Sequence, residues 1–281
     1  MPLVTLEPLL KDAIKNKYAV PEFNIDNIEF VQAILEAAEE EKTPFIFGVG
    51  QGAIQDGKLE PLAAVVKQFA EKSKLPIALH LDHSRSFAQI IQSIRVGFTS
   101  VMIDGSYLCL SENIAVTNKV SEICRTVGVS VEAELGKIGG VEDNIEVGEE
   151  QADLVDIEDL KRFVSEAPTD VLAVAIGSAH GIYKVEPKLD FKLLEEINRI
   201  TDIPLVLHGG SGIPAESVKK AIELGINKVN IGTEMRVGFI EGMHEAIHQN
   251  KDIYSILDNG RNRIKEIVRE KIYMCGAQGR A

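Results

Sequence analysis

The sequence predicts an α/β fold, a (β/α)8 TIM barrel with a C-terminal helical extension. Three observations predict it: eight short β-branched runs, helical-period stretches between them, and a length of 281 residues that one barrel plus a tail accommodates. The runs are mostly continuous in hydrophobicity rather than alternating, the pattern of parallel strands covered on both faces. Regular β-then-α alternation implies right-handed crossovers, and eight copies is the number that closes a barrel. An open doubly wound sheet is the competing arrangement, because closure leaves no mark in a sequence.

In chain order, YAVPEF (18–23) is the first strand and IEFVQAILEAAEEE (28–41) its amphipathic helix. PFIFGVG (44–50) is followed by LEPLAAVVKQFAEK (59–72), and PIALHL (76–81) and SVMID (100–104) are the third and fourth strands. The fifth, VSVEAEL (129–135), is separated from its helix DLKRFVSEA (159–167) by KIGGVEDNIEVGEEQAD (137–153). That connection is long, acidic and carries paired glycines, so it is either functional or a solvated insertion. VLAVAIG (171–177) leads into DFKLLEEINRI (190–200), PLVLHG (204–209) into AESVKKAIELG (215–225), and NKVNIG (227–232) into the last barrel helix. A helical extension covers 252–274. No Pro/Ser-rich linker or charge block divides the chain, so 1–281 reads as one domain.

Composition narrows the function. With 45% hydrophobic and 26% charged residues the chain has ample material for a large core, which excludes bulk disorder. Thirty Lys and Arg against 43 Asp and Glu give a net charge of −13, which excludes a general nucleic-acid binder. No apolar run has the length of a membrane span, and MPLVTLEPLLKDAIK lacks a signal-peptide apolar core, so a soluble, cytoplasmic protein is expected. Cys109, Cys124 and Cys275 are odd in number and lack CxxC spacing, so they read as buried thiols.

In a barrel, chemistry sits at the C-terminal ends of the strands. The unusual polar residues collect there: His80, Asp82 and His83 in HLDH, Asp104, Glu132 and Glu134, His180 in SAHG, His208 and Asn230. Three imidazoles on different strands, His83, His180 and His208, suit a borderline divalent cation with a position left open, and zinc is the natural candidate. His80 shares a strand face with Asp82 but lies deeper, where it orients a neighbour. Glu134 is a hard oxygen ligand or supports one, and Asp104 holds a second cation or orients a histidine. Asp82, beside a metal-binding histidine, is placed to move a proton of a substrate hydroxyl; otherwise it forms a salt bridge within the barrel. His244 and His248 in HEAIH lie in a charged stretch without the apolar helix of a zinc protease and are set aside.

Glycine-rich turns follow the last three strands: Gly181 in SAHGIYK, HGGSGIP (208–214) and NIGTEMR (230–236). Such turns opening onto helix N-termini present amides to phosphate, with Ser211 and Thr233 as added donors and Pro214 at a helix start. A polyanion approaching an acidic chain needs local cations, and Lys184, Arg236 and the metal are within reach of these motifs.

Together these residues resemble the class II, metal-dependent ketose-bisphosphate aldolases, in the subgroup of tagatose- and fructose-bisphosphate aldolases. YAVPEFNI, LHLDH, SVMIDGS, SVEAELG, GGVED, AIGSAHG, LVLHGGSG and CGAQGRA follow the family pattern in order along essentially the whole chain. The resemblance implies reversible aldol cleavage of a ketose 1,6-bisphosphate to dihydroxyacetone phosphate and an aldehyde phosphate such as glyceraldehyde 3-phosphate. It implies zinc as Lewis acid on His83, His180 and His208, with Glu134 and Asp104 at an alternative or second metal site. Asp82 then exchanges the C4 hydroxyl proton, and Glu142 in GGVED the C3 proton from a closing loop. The ketone-side phosphate falls to Gly181, Lys184, Gly209, Gly210, Ser211, Asn230, Ile231, Gly232 and Thr233, assisted by a monovalent cation, Na+ or K+. Asn24 is a further substrate contact, and Arg236 holds the far phosphate. Relatives form homodimers or homotetramers, for which the C-terminal helices are interface material.

Two departures bear on the sugar. Fructose-type members carry an acid where this chain has Gly232, as tagatose-type members carry a small residue. At Gly50 many relatives place a hydroxyl that contacts substrate. A related deoxy-ketose phosphate remains an alternative substrate. Other readings are a class I Schiff base on Lys228, the one lysine inside a strand, a zinc hydrolase, and an accessory barrel of a larger aldolase.

Overall fold

A computed structural model describes residues 3–142, 145–147, 152–181, 183 and 185–281, leaving aside the side chains of 141, 142 and 145–147. Eight parallel strands close a barrel: β1 (Val20–Asn24), β2 (Phe45–Val49), β3 (Ile77–Ser84), β4 (Ser100–Ile103), β5 (Ser130–Leu135), β8 (Val171–Val174), β10 (Leu205–Leu207) and β11 (Ile226–Ile231). Neighbours follow chain order around the barrel, and β1 seals it against β11 through Val20↔Lys228 to Phe23↔Ile231. Between β5 and β8 lie β6 (Gly139–Glu142) and β7 (Ile145–Val147), and β9 (Ala179–His180) follows β8. The helices are α1 (Leu6–Asn16), α2 (Ile28–Glu41), α3 (Gln51–Gln55), α4 (Leu59–Lys72), α5 (Phe87–Val96), α6 (Leu110–Val127), α7 (Ile157–Glu166), α8 (Phe191–Ile200), α9 (Ala215–Glu223), α10 (Thr233–His248) and α11 (Ile253–Met274).

Local chemistry sets the helix ends. Asn27 caps α2 by accepting from the Phe30 amide, and Asp156, Asp190 and Asp252 cap α7, α8 and α11 in the same manner. Each barrel strand is buried along its length apart from one half-buried position in β11, which is why periodicity 2 is absent from the sequence. The extension α11 packs on α10 and α2, with Ile264, Val268 and Ile272 wholly buried.

Three elements depart from expectation. Helix α1 closes the N-terminal end of the barrel: Val4 N–H donates to the Ile77 carbonyl and Leu6 N–H to Ser130 Oγ, at the first residues of β3 and β5. The connection 137–153 contains secondary structure: β6 pairs antiparallel with β7 and parallel with β9, and Lys137 bridges Asp153. Strand β3 runs on to Ser84, past the expected end at 81, because β4 continues to pair with it beyond Leu81.

Candidate active site and metal centre

The C-terminal end of β3 is irregular. Its pairing with β4 shifts register between Leu81 and Ser84, and His83 has a left-handed φ of 47°. In a regular strand, Asp82 and His83 would face opposite sides of the sheet. The bulge turns both into the barrel mouth, at a backbone cost of about 1–3 kcal/mol.

Asp82 is held by two amides reaching across from β1 and β11: Asn24 Nδ2 donates to Oδ2 at 2.9 Å and Asn230 Nδ2 to Oδ1 at 3.4 Å. Asn24 Oδ1 and Asn230 Oδ1 are buried without a hydrogen bond, so each amide retains an unused acceptor. Gln51, the first residue of α3, donates Nε2 to the Asp82 carbonyl at 2.9 Å.

His83, His180 and His208 converge, with ligand nitrogens within 4.8 Å of one another. The rings stand nearly perpendicular, with centroids 4.5 Å apart for His83 and His208, 4.8 Å for His83 and His180 and 5.7 Å for His180 and His208. His83 Nε2 lies 2.7 Å from His208 Nδ1, a separation at which two lone pairs repel unless a proton or cation lies between them. Three facing imidazoles therefore fit a borderline divalent ion, while Glu134 stands at the other ring nitrogen of His83, its buried Oε2 without a hydrogen bond and 3.8 Å from Nδ1. Burial, reinforced by Asp104, raises the Glu134 carboxyl to about 8. Burial and the neighbouring His83 push the His208 imidazole well below its ordinary value, leaving it neutral as a ligand must be.

Asp104 is committed elsewhere. Its Oδ2 accepts from Arg85 Nε at 2.9 Å and its Oδ1 from Ser106 Oγ at 2.6 Å and Ser106 N–H at 3.0 Å. Burial opposes its charge, but His83, Ser106 and Arg85 outweigh that and hold the carboxyl well below the usual range. His83 Nδ1 lies 3.9 Å away. Arg85, which also stacks over Tyr107, is a cation at the mouth that sequence reasoning passed over despite its position directly after LDHS.

Beneath the imidazoles lies a dry ionic layer. Lys228 Nζ sits 2.5 Å from Glu22 Oε2 and 2.7 Å from Glu132 Oε2, all three side chains wholly buried. Glu132 Oε1 meets His208 Nε2 at 2.9 Å. Burial opposes the lysine's charge, but the two carboxylates hold the ammonium far above the ordinary range, so Lys228 offers no free amine for a Schiff base. His80 lies beside this layer as expected of a deeper residue, its Nδ1 2.8 Å from Ser100 Oγ. Desolvation keeps it neutral.

On the opposite side of the mouth, the glycine turns close on each other. Gly210 N–H donates to the Asn230 carbonyl, and Ser211 Oγ accepts from the amides of Gly232 and Glu234 at the start of α10. At Gly209 a side chain would collide with the Ala179 carbonyl. Tyr183 ties the turns together: its hydroxyl accepts from Ala179 N–H at 2.8 Å and donates to the Gly209 carbonyl at 2.9 Å. Gly181 (φ 89°) lies beside His180, while Ile231 and Thr233 flank Gly232, the residue before α10. A β-carbon on Gly232 would stand 3.0 Å from Asn24 Oδ1. Arg236 pairs with Asp26, Nε to Oδ2 at 2.7 Å and a terminal nitrogen to Oδ1 at 3.3 Å, so an anion at Arg236 shares it with that carboxylate.

The expected lysine at 184 lies outside the described residues, as does the side chain of Glu142, whose backbone ends β6. His244 and His248 are exposed on α10, where their rings meet each other, and are not among the three imidazoles that converge.

A barrel with three imidazoles gathered at its mouth defines the class first: an enzyme of the TIM-barrel type with a metal-ready active site. Residues 4–280 match the model of the class-II fructose-bisphosphate aldolase family, and the chain belongs to that family. The YdjI aldolase of Escherichia coli K12 is 32% identical over 99% of both chains, with a TM-score of 0.89. A candidate fructose-1,6-bisphosphate aldolase from Coccidioides immitis is 29% identical over 97% of this chain and 96% of that one, with a TM-score of 0.90. The fructose-bisphosphate aldolase of Campylobacter jejuni shares the fold, at 22% identity over 100% of this chain and 97% of that one and a TM-score of 0.83. The chain is therefore a class II aldolase. Among the described residues, no helix is long and apolar enough to cross a membrane.

Proposed function

We propose that this chain is a zinc-dependent, single-domain aldolase that reversibly cleaves a ketose 1,6-bisphosphate to dihydroxyacetone phosphate and an aldehyde phosphate such as glyceraldehyde 3-phosphate. The carrying observation is Asp82, suspended between Asn24 and Asn230 directly beside the cluster of His83, His180 and His208. Those imidazoles would hold the ion, which when bound supplies a Lewis acid for the ketone oxygen. Glu134 is a reserve ligand, and Asp104 orients His83 and Arg85.

In the cleavage direction Asp82 takes the C4 hydroxyl proton as the C3–C4 bond breaks, and its two amide partners keep its oxygens aimed. Glu142 returns a proton to C3 of the dihydroxyacetone phosphate half. Gly181, Lys184, Gly209 to Ser211, and Asn230 to Thr233 receive the ketone-side phosphate, with a sodium or potassium ion as counter-charge. Arg236 takes the far phosphate in competition with Asp26. Gly232, a small residue where fructose-type members carry an acid, favours tagatose over fructose. A cytoplasmic homodimer or homotetramer is the expected form.

The deciding experiment compares kcat/KM for fructose- and tagatose-1,6-bisphosphate before chelation, after it, and after zinc is restored. Cleavage lost on chelation, regained with zinc and faster for tagatose supports the proposal. Chelator-resistant cleavage with borohydride trapping on a lysine overturns it, as does a purified chain inert to both sugars with zinc supplied.

A further inference from the structure

We infer that Glu132, braced by Lys228, is a positioning residue that selects Nδ1 of His208 as the atom offered to the metal. The inference rests on the proposed zinc centre and adds a residue that touches neither ion nor substrate.

Of the two nitrogens of a neutral imidazole, one carries hydrogen and the other a lone pair. His208 presents Nδ1 to His83 Nε2 at 2.7 Å, on the side where the three imidazoles converge. Its other nitrogen, Nε2, faces Glu132 Oε1 at 2.9 Å. An ionised carboxylate only accepts, so Nε2 must donate and Nδ1 is left with the lone pair. The reverse tautomer would bring a lone pair against a carboxylate oxygen in a site from which water is excluded.

The orientation of Glu132 is itself fixed. Its second oxygen receives Lys228 Nζ at 2.7 Å, and that ammonium is anchored from the other side by Glu22 at 2.5 Å. Glu132, Lys228, Glu22 and His208 are all fully buried, so no solvent molecule substitutes for either contact. Residues of β5, β11, β1 and β10 thus form one cross-barrel strut ending on a metal-facing nitrogen. Stability does not require such a layer, since packed apolar side chains replace buried ion clusters without loss. Its direction towards His208 gives it a purpose: a carboxylate behind a ligating imidazole fixes the ring and raises its basicity, and removing that partner weakens metal binding by about 10–100-fold.

The test is zinc affinity of the metal-free, full-length protein, measured by competition with a chromophoric chelator. Wild-type protein must bind zinc and His180→Ala must lose that binding; failure here sinks the zinc centre itself. Given that baseline, Glu132→Ala is expected to bind about 10–100-fold more weakly. Glu132→Gln, which retains an acceptor but no charge, should fall between. Nitrogen NMR of labelled histidine should show His208 as a single Nε2–H tautomer in wild type and a mixture in Glu132→Ala. A merely structural glutamate would change melting temperature but neither zinc affinity nor the tautomer. Should Glu132→Ala fail to fold, Glu132→Gln carries the test. Affinity within twofold of wild type with an unchanged tautomer, in whichever variant folds, overturns the inference.

Discussion

Lys228→Met removes the one ammonium shared by two buried carboxylates and leaves a side chain of similar length. Glu22 and Glu132 lie 2.5 and 2.7 Å from the lysine nitrogen and are wholly buried. Burial already raises the Glu22 carboxyl well above its ordinary range even beside Lys228, so removing the ammonium strands at least one buried carboxylate. The variant relieves it by taking up a proton, which at pH 7 costs about 3.7 kcal/mol for a carboxyl of ordinary pKa near 4.3. That matches the range of about 3–5 kcal/mol for breaking a buried pair by removing one partner. At about 2.1 cal/mol/K of unfolding entropy per residue, 281 residues convert 3.7 kcal/mol into a Tm lowered by about 6 °C. The sign with pH follows. In the variant the folded carboxyl has a raised pKa, so the folded state binds more protons than the unfolded one and the deficit grows as pH rises from 4 to 7. At pH 5 the same proton costs about 1 kcal/mol, a shift of about 2 °C. Calorimetry of both proteins at pH 5 and 7 checks this. A deficit below 2 °C at pH 7, or one that widens on acidification, would refute the ionic layer as described.

Asp82→Ala should lower kcat by about 100-fold or more while zinc content stays at the wild-type level, and full turnover would remove Asp82 from the proton transfer. Gly140→Ala places a β-carbon against the His180 carbonyl at a φ of 100° and should loosen the pairing of β6 with β9. Amide exchange across residues 179–180 should then quicken by about tenfold, the equivalent of about 1.4 kcal/mol. Unchanged exchange would mean the hairpin tolerates the added carbon. Among the cysteines, Cys109 is exposed, against the sequence's reading of three buried thiols, whereas burial pushes the thiols of Cys124 and Cys275 up to about 11 and about 12. Native protein should therefore take one alkyl group rapidly at pH 8, with the other two reacting only after unfolding; rapid labelling of Cys275 would contradict its burial.

The barrel was legible because its signals are local. Continuous apolar runs and amphipathic stretches such as 28–41 and 59–72 coincide with α2 and α4 to the residue. Helix α1 and hairpin β6–β7 escaped, the first because a short amphipathic segment before the first strand has no partner in sequence, the second because two three- to four-residue strands acquire meaning only beside β9. In the site, the histidines and Asp82 stood out as polar residues at strand ends. Arg85, Gln51 and Tyr183 did not, since their roles lie in contacts with residues 19, 31 and 26 positions away. A usable signal existed for the ionic layer: Glu22, Glu132 and Lys228 are charges inside otherwise apolar strands, and such charges must find one another.

The bulge at His83 has a mechanical corollary. Because one peptide unit carries both Asp82 and His83, any sway of the β3 tip displaces the carboxylate and the imidazole together, so the spacing between those two groups is insulated from strand motion. A site assembled from two separate loops has no such common mount. The same linkage limits redesign. Shifting His83 by altering this strand drags the Asp82 carboxylate along with it, so access for new substrates is better sought at Gly50 or Gly232, which belong to other supports.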